Sequence, residues 1–95
     1  MRRAAKVDTN HPEIVRALRD VGAHVMDLSQ LGKGCPDLMV EYNDVLYLIE
    51  VKNPNNSYGR KGFNKTQAAW NARWQGRPAV VVRNVDEALA AIGAL

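Results

Sequence analysis

The feature that most constrains the fold is an apolar segment with a polar break at its centre, CPDLMVEYNDVLYLIEVKNP, at residues 35–54. The stretches 37–42 and 45–52 have the length and the β-branched and aromatic content of strands. Asn43-Asp44 between them tolerates the tight backbone of a two-residue turn. The sequence therefore predicts an antiparallel β-hairpin at the centre of the fold.

The register of this hairpin places charged residues beside each other. It pairs Tyr42 with Val45, Val40 with Tyr47, and Leu38 with Ile49. The next pair outward is Asp37 with Glu50, and directly opposed residues have Cβ atoms about 4.5–5.5 Å apart. Alternation puts Lys52 on the strand face that carries Glu50. At an effective dielectric near 20, two carboxylates about 5 Å apart repel each other by roughly 3 kcal/mol.

A shared proton, the Lys52 ammonium or a bound divalent cation would each relieve this repulsion. A hard cation fits best, because Mg²⁺ uses one or two carboxylates together with phosphate oxygens. The predicted ligands are Asp37, Glu50 and the backbone carbonyl of Val51, with Lys52 acting on a water or a phosphate. The alternative is a solvated sheet face, although the face that carries Glu50 is otherwise apolar.

Helices surround the hairpin in the predicted element order α-β-β-β-α-β-α. Asn10 precedes a helix with an apolar stripe at Ile14, Val15, Leu18 and Val21, and Gly22 ends it. A short strand covers 23–28, and a turn-rich loop covers 29–36.

The second half of the chain begins with a polar, basic loop at 53–62, of a length that usually indicates function or mobility. Asn64 opens a helix that runs to about Gln75. Residues 79–83, AVVVR, predict a strand buried on both faces. Asn84 caps a final short helix.

Composition limits the class of protein. A chain of 95 residues predicts one domain, 1–95, with residues 1–9 as a flexible basic arm in which Arg2, Arg3 and Lys6 are available to DNA. The net charge of +3 permits a nucleic-acid partner without requiring one. The single cysteine, Cys35, and the lack of a signal peptide or of a long apolar run predict a cytoplasmic protein with no membrane segment.

Pro36-Asp37, followed after twelve residues by Glu50-Val51-Lys52, resembles the motif of the PD-(D/E)xK nuclease superfamily. Together with the Gly-rich loop before Pro36 and the Gln-x-x-Trp element at Gln67, it resembles the VRR-NUC (virus-type replication-repair nuclease) family. The similarity is to the small stand-alone phage form and covers about residues 11–92. It implies a restriction-endonuclease-like α/β fold with a central mixed sheet flanked by helices.

The resemblance also implies cleavage of DNA phosphodiesters with Mg²⁺ or Mn²⁺. Asp37 and Glu50 would be metal ligands, Lys52 the catalytic lysine, and Glu13 and Gln67 further members of the site. Stand-alone members act as homodimers on branched DNA, including four-way (Holliday) junctions, and a phage-encoded member would act in the host cytoplasm. Residues 63–66 depart from the Leu-Thr-Pro that relatives often carry before this glutamine.

Glu13 and Gln67 each have a second interpretation. Asn10 with Glu13, and Asn64 with Gln67, have the spacing of a capping box, in which both side chains serve the helix terminus. The sequence leaves open whether these two residues join the acidic cluster or cap their helices.

Several further side chains are candidates for contacts with DNA. Four lie in or next to the basic loop and either hold phosphates or are solvated: Tyr58, Arg60, Lys61 and Lys65. Trp70 and Trp74 share a helix face with Gln67, which favours packing in the core over stacking on bases. Cys35 is interpreted as a small residue at the start of a strand, and His11 and His24 as structural.

The preferred function is therefore a metal-dependent, structure-selective DNA endonuclease. One alternative is a less selective nuclease that acts on flaps or linear duplexes. The other is an inactive DNA-binding module with the same fold, although Asp37, Glu50 and Lys52 are all present.

Overall fold

The computed structural model describes residues 9–55 and 62–95, which form a mixed four-stranded sheet flanked by helices. The elements in chain order are α1 His11–Asp20, β1 His24–Asp27, β2 Leu38–Tyr42, β3 Val45–Val51, α2 Lys65–Arg73, β4 Val80–Val82 and α3 Val85–Ala91. Strands β1, β2 and β3 are antiparallel neighbours, and β4 pairs in parallel with β3. Both the predicted element order and the predicted fold class are confirmed.

The hairpin of β2 and β3 has the predicted turn. Asn43 and Asp44 have φ angles of 52° and 65°, which is the left-handed backbone that a two-residue hairpin turn requires at both positions. The paired residues run from Tyr42 with Val45 to Leu38 with Ile49, as the sequence predicts. The turn therefore fixes which side chains of β3 share a face with Glu50.

The core lies between one face of the sheet and helices α1 and α3. Its buried side chains include Ile14, Val15, Leu18, Leu38, Val40, Ile49, Val51, Val82, Ala88 and Ile92. The predicted stripe of α1 is thus buried except for Val21, which lies just beyond the helix and is exposed. No helix within residues 9–55 and 62–95 has the length and apolar character needed to cross a membrane.

Strand β4 is less buried than predicted. It lies at the edge of the sheet, beside β3, and Val80 is 38% exposed while Val82 is buried. The prediction of burial on both faces was wrong, because a run of three valines has the same composition in an edge strand as in a central one.

Helix α2 also departs from its prediction. It contains no buried residue and ends at Arg73, and the indole of Trp74 is 42% exposed. The rings of Trp70 and Trp74 stack on each other instead, with centroids 4.9 Å apart and an interplanar angle of 17°. Packing of these tryptophans in the core was therefore a wrong prediction.

Candidate active site

Four of the predicted site residues line a single cavity of about 330 Å³: Asp37, Glu50, Lys52 and Gln67. The loop between β1 and β2 forms one wall and the first turn of α2 forms another. These walls contribute Ser29, Gly32, Lys33, Gly34, Cys35, Asn64 and Thr66. The structure thus places the two carboxylates and the ammonium of the hairpin in one open pocket.

Asp37 is held at the start of β2 by its backbone and its side chain. Its carbonyl accepts a hydrogen bond of 2.6 Å from the amide of Leu28, which joins it to the end of β1. Its Oδ2 accepts one of 2.8 Å from the amide of Val51. The carboxyl of Asp37 is therefore fixed against β3, beside Glu50. The contact of Val51 is made by its N–H, and the metal-ligand role of its carbonyl stays a prediction.

Glu50 is the buried member of the site, with only 4% of its surface exposed. Its Oε2 accepts a hydrogen bond of 2.8 Å from Nε2 of Gln67 and lies 3.7 Å from Nζ of Lys52. Its Oε1 is buried and, among the described residues, has no hydrogen-bond partner. A buried carboxylate oxygen in this state is costly unless another group neutralises it.

Burial is the main cause that raises the pKa of Glu50, which reaches about 8. The negative charge of Asp37 raises this pKa further, and the nearby Lys52 ammonium partly opposes the increase. Glu50 therefore retains a proton up to neutral pH unless a stronger positive charge replaces it. A divalent cation is the kind of ligand that would do so.

Lys52 is unusually buried for a lysine, at 8% exposure. Its Nζ donates a hydrogen bond of 2.8 Å to Oε1 of Gln67. Its backbone amide donates to the carbonyl of Val82, and its carbonyl accepts from Nδ2 of Asn10 at 3.0 Å. The ammonium is therefore held inside the cavity by contacts at both ends of the residue.

Gln67 combines the two roles that the sequence left open. Its amide and side chain complete a capping box with Asn64 at the start of α2. The same side chain bridges the Lys52 ammonium and the Glu50 carboxylate. Capping thus orients the amide group that connects the two charged residues.

The double role of Gln67 is testable by comparing two helix caps. Gln67→Ala and Asn84→Ala each remove a capping contact, and the cap of Asn84 lies at α3, outside the cavity. We expect Asn84→Ala to lower the free energy of unfolding by about 1 kcal/mol in urea denaturation, and Gln67→Ala to lower it by more, because the buried Lys52 and Glu50 also lose a partner. Only Gln67→Ala should also lower the DNA cleavage that the resemblance implies, by about 10–100-fold, because Gln67 would orient an implied metal ligand, Glu50. Equal cleavage by both variants would show that Gln67 serves only to cap α2.

The structure does not bring Glu13 to the cavity. It is exposed on the first turn of α1, next to the buried Ile14, and is absent from the cavity lining. The alternative interpretation, a capping box with Asn10, is not formed either, because the Asn10 side chain makes no cap bond. That amide instead donates to the carbonyls of Lys52 and Arg83, and so ties α1 to the ends of β3 and β4.

A lysine in the glycine-rich loop was missed by the sequence analysis. Lys33 lines the cavity and has a φ angle of 58°, and its neighbours Gly32 and Gly34 have φ angles of 69° and 84°. A Cβ atom at Gly34 would overlap the carbonyl oxygen of Thr66. The Gly-Lys-Gly sequence was therefore the available signal for a loop that approaches α2 closely and presents a cation.

The loop is also anchored at its first residues by His11, which the sequence analysis treated as structural. His11 is buried, and its Nε2 lies 3.0 Å from Oδ2 of Asp27 at the end of β1. The other oxygen of Asp27 accepts a hydrogen bond from the amide of Ser29. His11 thus helps to hold the start of the cavity wall, in agreement with a structural role.

Cys35 lines the cavity without the features of a nucleophile. Burial, followed by the negative charges of Glu50 and Asp37, raises the pKa of its thiol. The thiol is therefore protonated at neutral pH, when a nucleophile would need the thiolate.

The residues predicted to contact DNA in and next to the basic loop are only partly placed. Tyr58, Arg60 and Lys61 lie outside the described residues. Lys65 is exposed on the first turn of α2, between the cavity-lining residues Asn64 and Thr66.

Comparison with known proteins identifies the fold that carries this site. No protein-family model matches the sequence, and no curated protein matches it either. A solved structure described as a VRR_NUC domain is 23% identical in sequence, with a TM-score of 0.63. The similarity covers 90% of this chain and 96% of that one. This chain therefore has the fold of a VRR_NUC domain, as the resemblance of its motifs implied.

Proposed function

We propose that this chain is a VRR-NUC nuclease that hydrolyses DNA phosphodiesters with Mg²⁺ or Mn²⁺. The observation that carries the proposal is the buried Glu50 carboxyl group beside Asp37 and Lys52, whose Oε1 has no hydrogen-bond partner within residues 9–55 and 62–95. Buried polar atoms without a partner are uncommon in native structures, and a catalytic role or a bound ion is one established reason for keeping them. The shared fold with a VRR_NUC domain supports the same function.

The donors present suit a hard divalent cation. Within the described part of the chain, no three His, Cys, Asp or Glu side chains cluster as a metal site. The side-chain donors are thus the carboxylates of Asp37 and Glu50, the small number that Mg²⁺ uses when water and phosphate oxygens complete its shell. The carbonyl of Val51 is the proposed third protein ligand. When bound, the cation would polarise the phosphate and lower the pKa of a coordinated water.

Lys52 and Gln67 supply the other half of the proposed chemistry. The Lys52 ammonium is fixed and largely desolvated, so its charge acts strongly on a phosphate or a water in the cavity. Gln67 holds that ammonium on one side and Glu50 on the other. Lys52 would stabilise the negative charge that develops on the phosphate oxygens, and Gln67 would keep both groups in place.

The proposed substrate is branched DNA, such as a four-way junction, and the proposed assembly is a homodimer. One small domain offers one site, and therefore one strand cut. Symmetric cleavage of a junction needs two sites, which a twofold dimer would supply. Lys65 at the cavity rim, together with Tyr58, Arg60 and Lys61, would contact the phosphate backbone.

The direct test is cleavage of matched DNA substrates with Mg²⁺ or Mn²⁺. A four-way junction, a flap and a linear duplex of shared sequence would be incubated with the protein and resolved on denaturing gels. We expect cuts near the junction, and none when EDTA is present. Equal cutting of all three substrates would favour the less selective nuclease. Tight binding without cleavage of any substrate, in either metal, would favour an inactive DNA-binding module.

A further inference from the structure

The stacked tryptophans of α2, half-buried Trp70 and exposed Trp74, have no role in the core or in the proposed hydrolysis. Trp74 is 42% exposed and stacks on Trp70, in a helix that buries none of its residues. Large aromatic side chains usually lie in cores or at binding surfaces, because leaving their apolar area in water is unfavourable. The pair is thus a surface that suits a ligand with flat, apolar faces.

This surface lies next to the active-site cavity. Helix α2 begins at the cavity, where Thr66 and Gln67 form part of the lining. A Cβ atom at Gly34 of the opposite wall would lie 3.1 Å from Cβ of Trp70. From Gln67 to Trp74 the helix rises by roughly 10 Å. A stacked DNA strand covers that distance in about three nucleotides.

The charge of this part of the chain favours a polyanion. Residues 51–85 contain seven lysines and arginines and no aspartate or glutamate, whereas the rest of the chain has six basic and ten acidic residues. Two of the seven, Lys65 and Arg73, are exposed on α2 itself. A protein surface that combines basic residues with stacked aromatic rings matches the requirements of single-stranded nucleic acid.

We propose that Trp70 and Trp74 form a stacking platform for unpaired bases of the DNA strand whose backbone enters the active-site cavity. This inference rests on the proposed nuclease function and specifies its substrate as DNA with unpaired nucleotides within a few positions of the cut. Bases inside a continuous duplex are covered on both faces by their neighbours and cannot reach the indoles. Flaps and frayed ends provide such bases, and a branch point provides them when the base pairs beside it open.

Intrinsic fluorescence tests the platform directly, because these two are the only tryptophans of the chain. The protein would be titrated in EDTA with an oligothymidine and, separately, with a blunt duplex of equal nucleotide number. We expect the oligothymidine to quench the indole emission, and the duplex to quench it much less. Indole emission of the free protein, recorded across the same concentrations without DNA, would detect a second copy seated on the tryptophans.

Three variants separate stacking from simple apolar contact. Trp74→Phe keeps an aromatic face and should bind the oligothymidine within about threefold of wild type. Trp74→Leu loses that face and should bind about tenfold or more weakly, the range expected for one stacked base. Leu46→Ala, which alters another exposed apolar side chain, is the control and should bind as wild type does. Circular dichroism would check that each variant is folded.

The inference is overturned by unchanged emission at saturating oligothymidine, by equal quenching with duplex, or by wild-type affinity in Trp74→Leu. Concentration-dependent emission without DNA would assign the surface to a second copy instead. The assay needs no hydrolysis, so its failure differs from that of the proposed function. Quenching without any cleavage contradicts the proposed nuclease function, and cleavage without quenching contradicts the stacking of bases on Trp70 and Trp74.

Discussion

Replacing Lys52 with alanine is expected to lower the rate of DNA cleavage by about 10²–10⁴-fold, the range for removal of a fixed charge that stabilises a transition state. The ammonium is buried at 8% exposure and held 2.8 Å from Oε1 of Gln67, whereas Lys33, the other lysine of the cavity lining, lies on the loop that forms one wall. Single-turnover cleavage of a four-way junction in Mg²⁺ would measure the effect on chemistry separately from product release.

Arg16→Ala is the matched control for this experiment. It also removes one positive charge, but from an exposed position on α1 and away from the cavity. Both variants should bind DNA in EDTA with similar, slightly weakened affinity, because each loses one unit of nonspecific attraction. If Lys52→Ala cleaves DNA at the same rate as Arg16→Ala, Lys52 has no part in the mechanism, and its contacts are structural only.

The part of the site that the sequence predicts is the part built by local geometry. A two-residue turn sets the register of β2 and β3, and the period of two then decides which side chains share a face. Asp37, Glu50 and Lys52 come together through that one hairpin. Their proximity follows from the positions of Asn43 and Asp44, which have the backbone angles that the turn requires.

The remaining features depend on packing between distant segments. Periodicity indicates that Trp70 and Trp74 share a helix face, but it does not indicate whether another element covers that face. The spacing of Asn10 and Glu13 suits a capping box, yet the Asn10 side chain satisfies two carbonyls at the ends of β3 and β4. Such long-range hydrogen bonds have no counterpart in local sequence. Gln67 shows further that capping and a place in the site are compatible.

Without a divalent cation, the free energy of unfolding should fall as pH rises from about 5 to 8, and Glu50→Gln should remove this decrease. The pKa of Glu50 is about 8 in the folded protein, whereas an unperturbed glutamate, as in the unfolded chain, has a pKa of 4.5. Between these values the folded state binds about one more proton than the unfolded state. The sign of the linkage therefore makes unfolding easier at higher pH, by up to about 1.4 kcal/mol per pH unit.

Urea denaturation in EDTA at several pH values would measure the slope, with Glu13→Gln as the control. Glu13 is exposed, so its loss should leave the slope unchanged. Asp27 and Glu41 have lowered pKa values, so their contributions are lost only as pH falls below the range tested. Because all variants share these groups, the difference between wild type and Glu50→Gln isolates the buried carboxyl.

Mg²⁺ connects this stability effect to the proposed function. A cation bound at Asp37 and Glu50 would replace the proton, so it should raise the melting temperature of wild type more at pH 8 than at pH 5. Glu50→Gln should show little or none of this increase. If Mg²⁺ stabilises Glu50→Gln as much as wild type, the cation binds elsewhere. The buried Oε1 of Glu50, which has no partner among the described residues, would then destabilise the folded state without serving as a metal ligand.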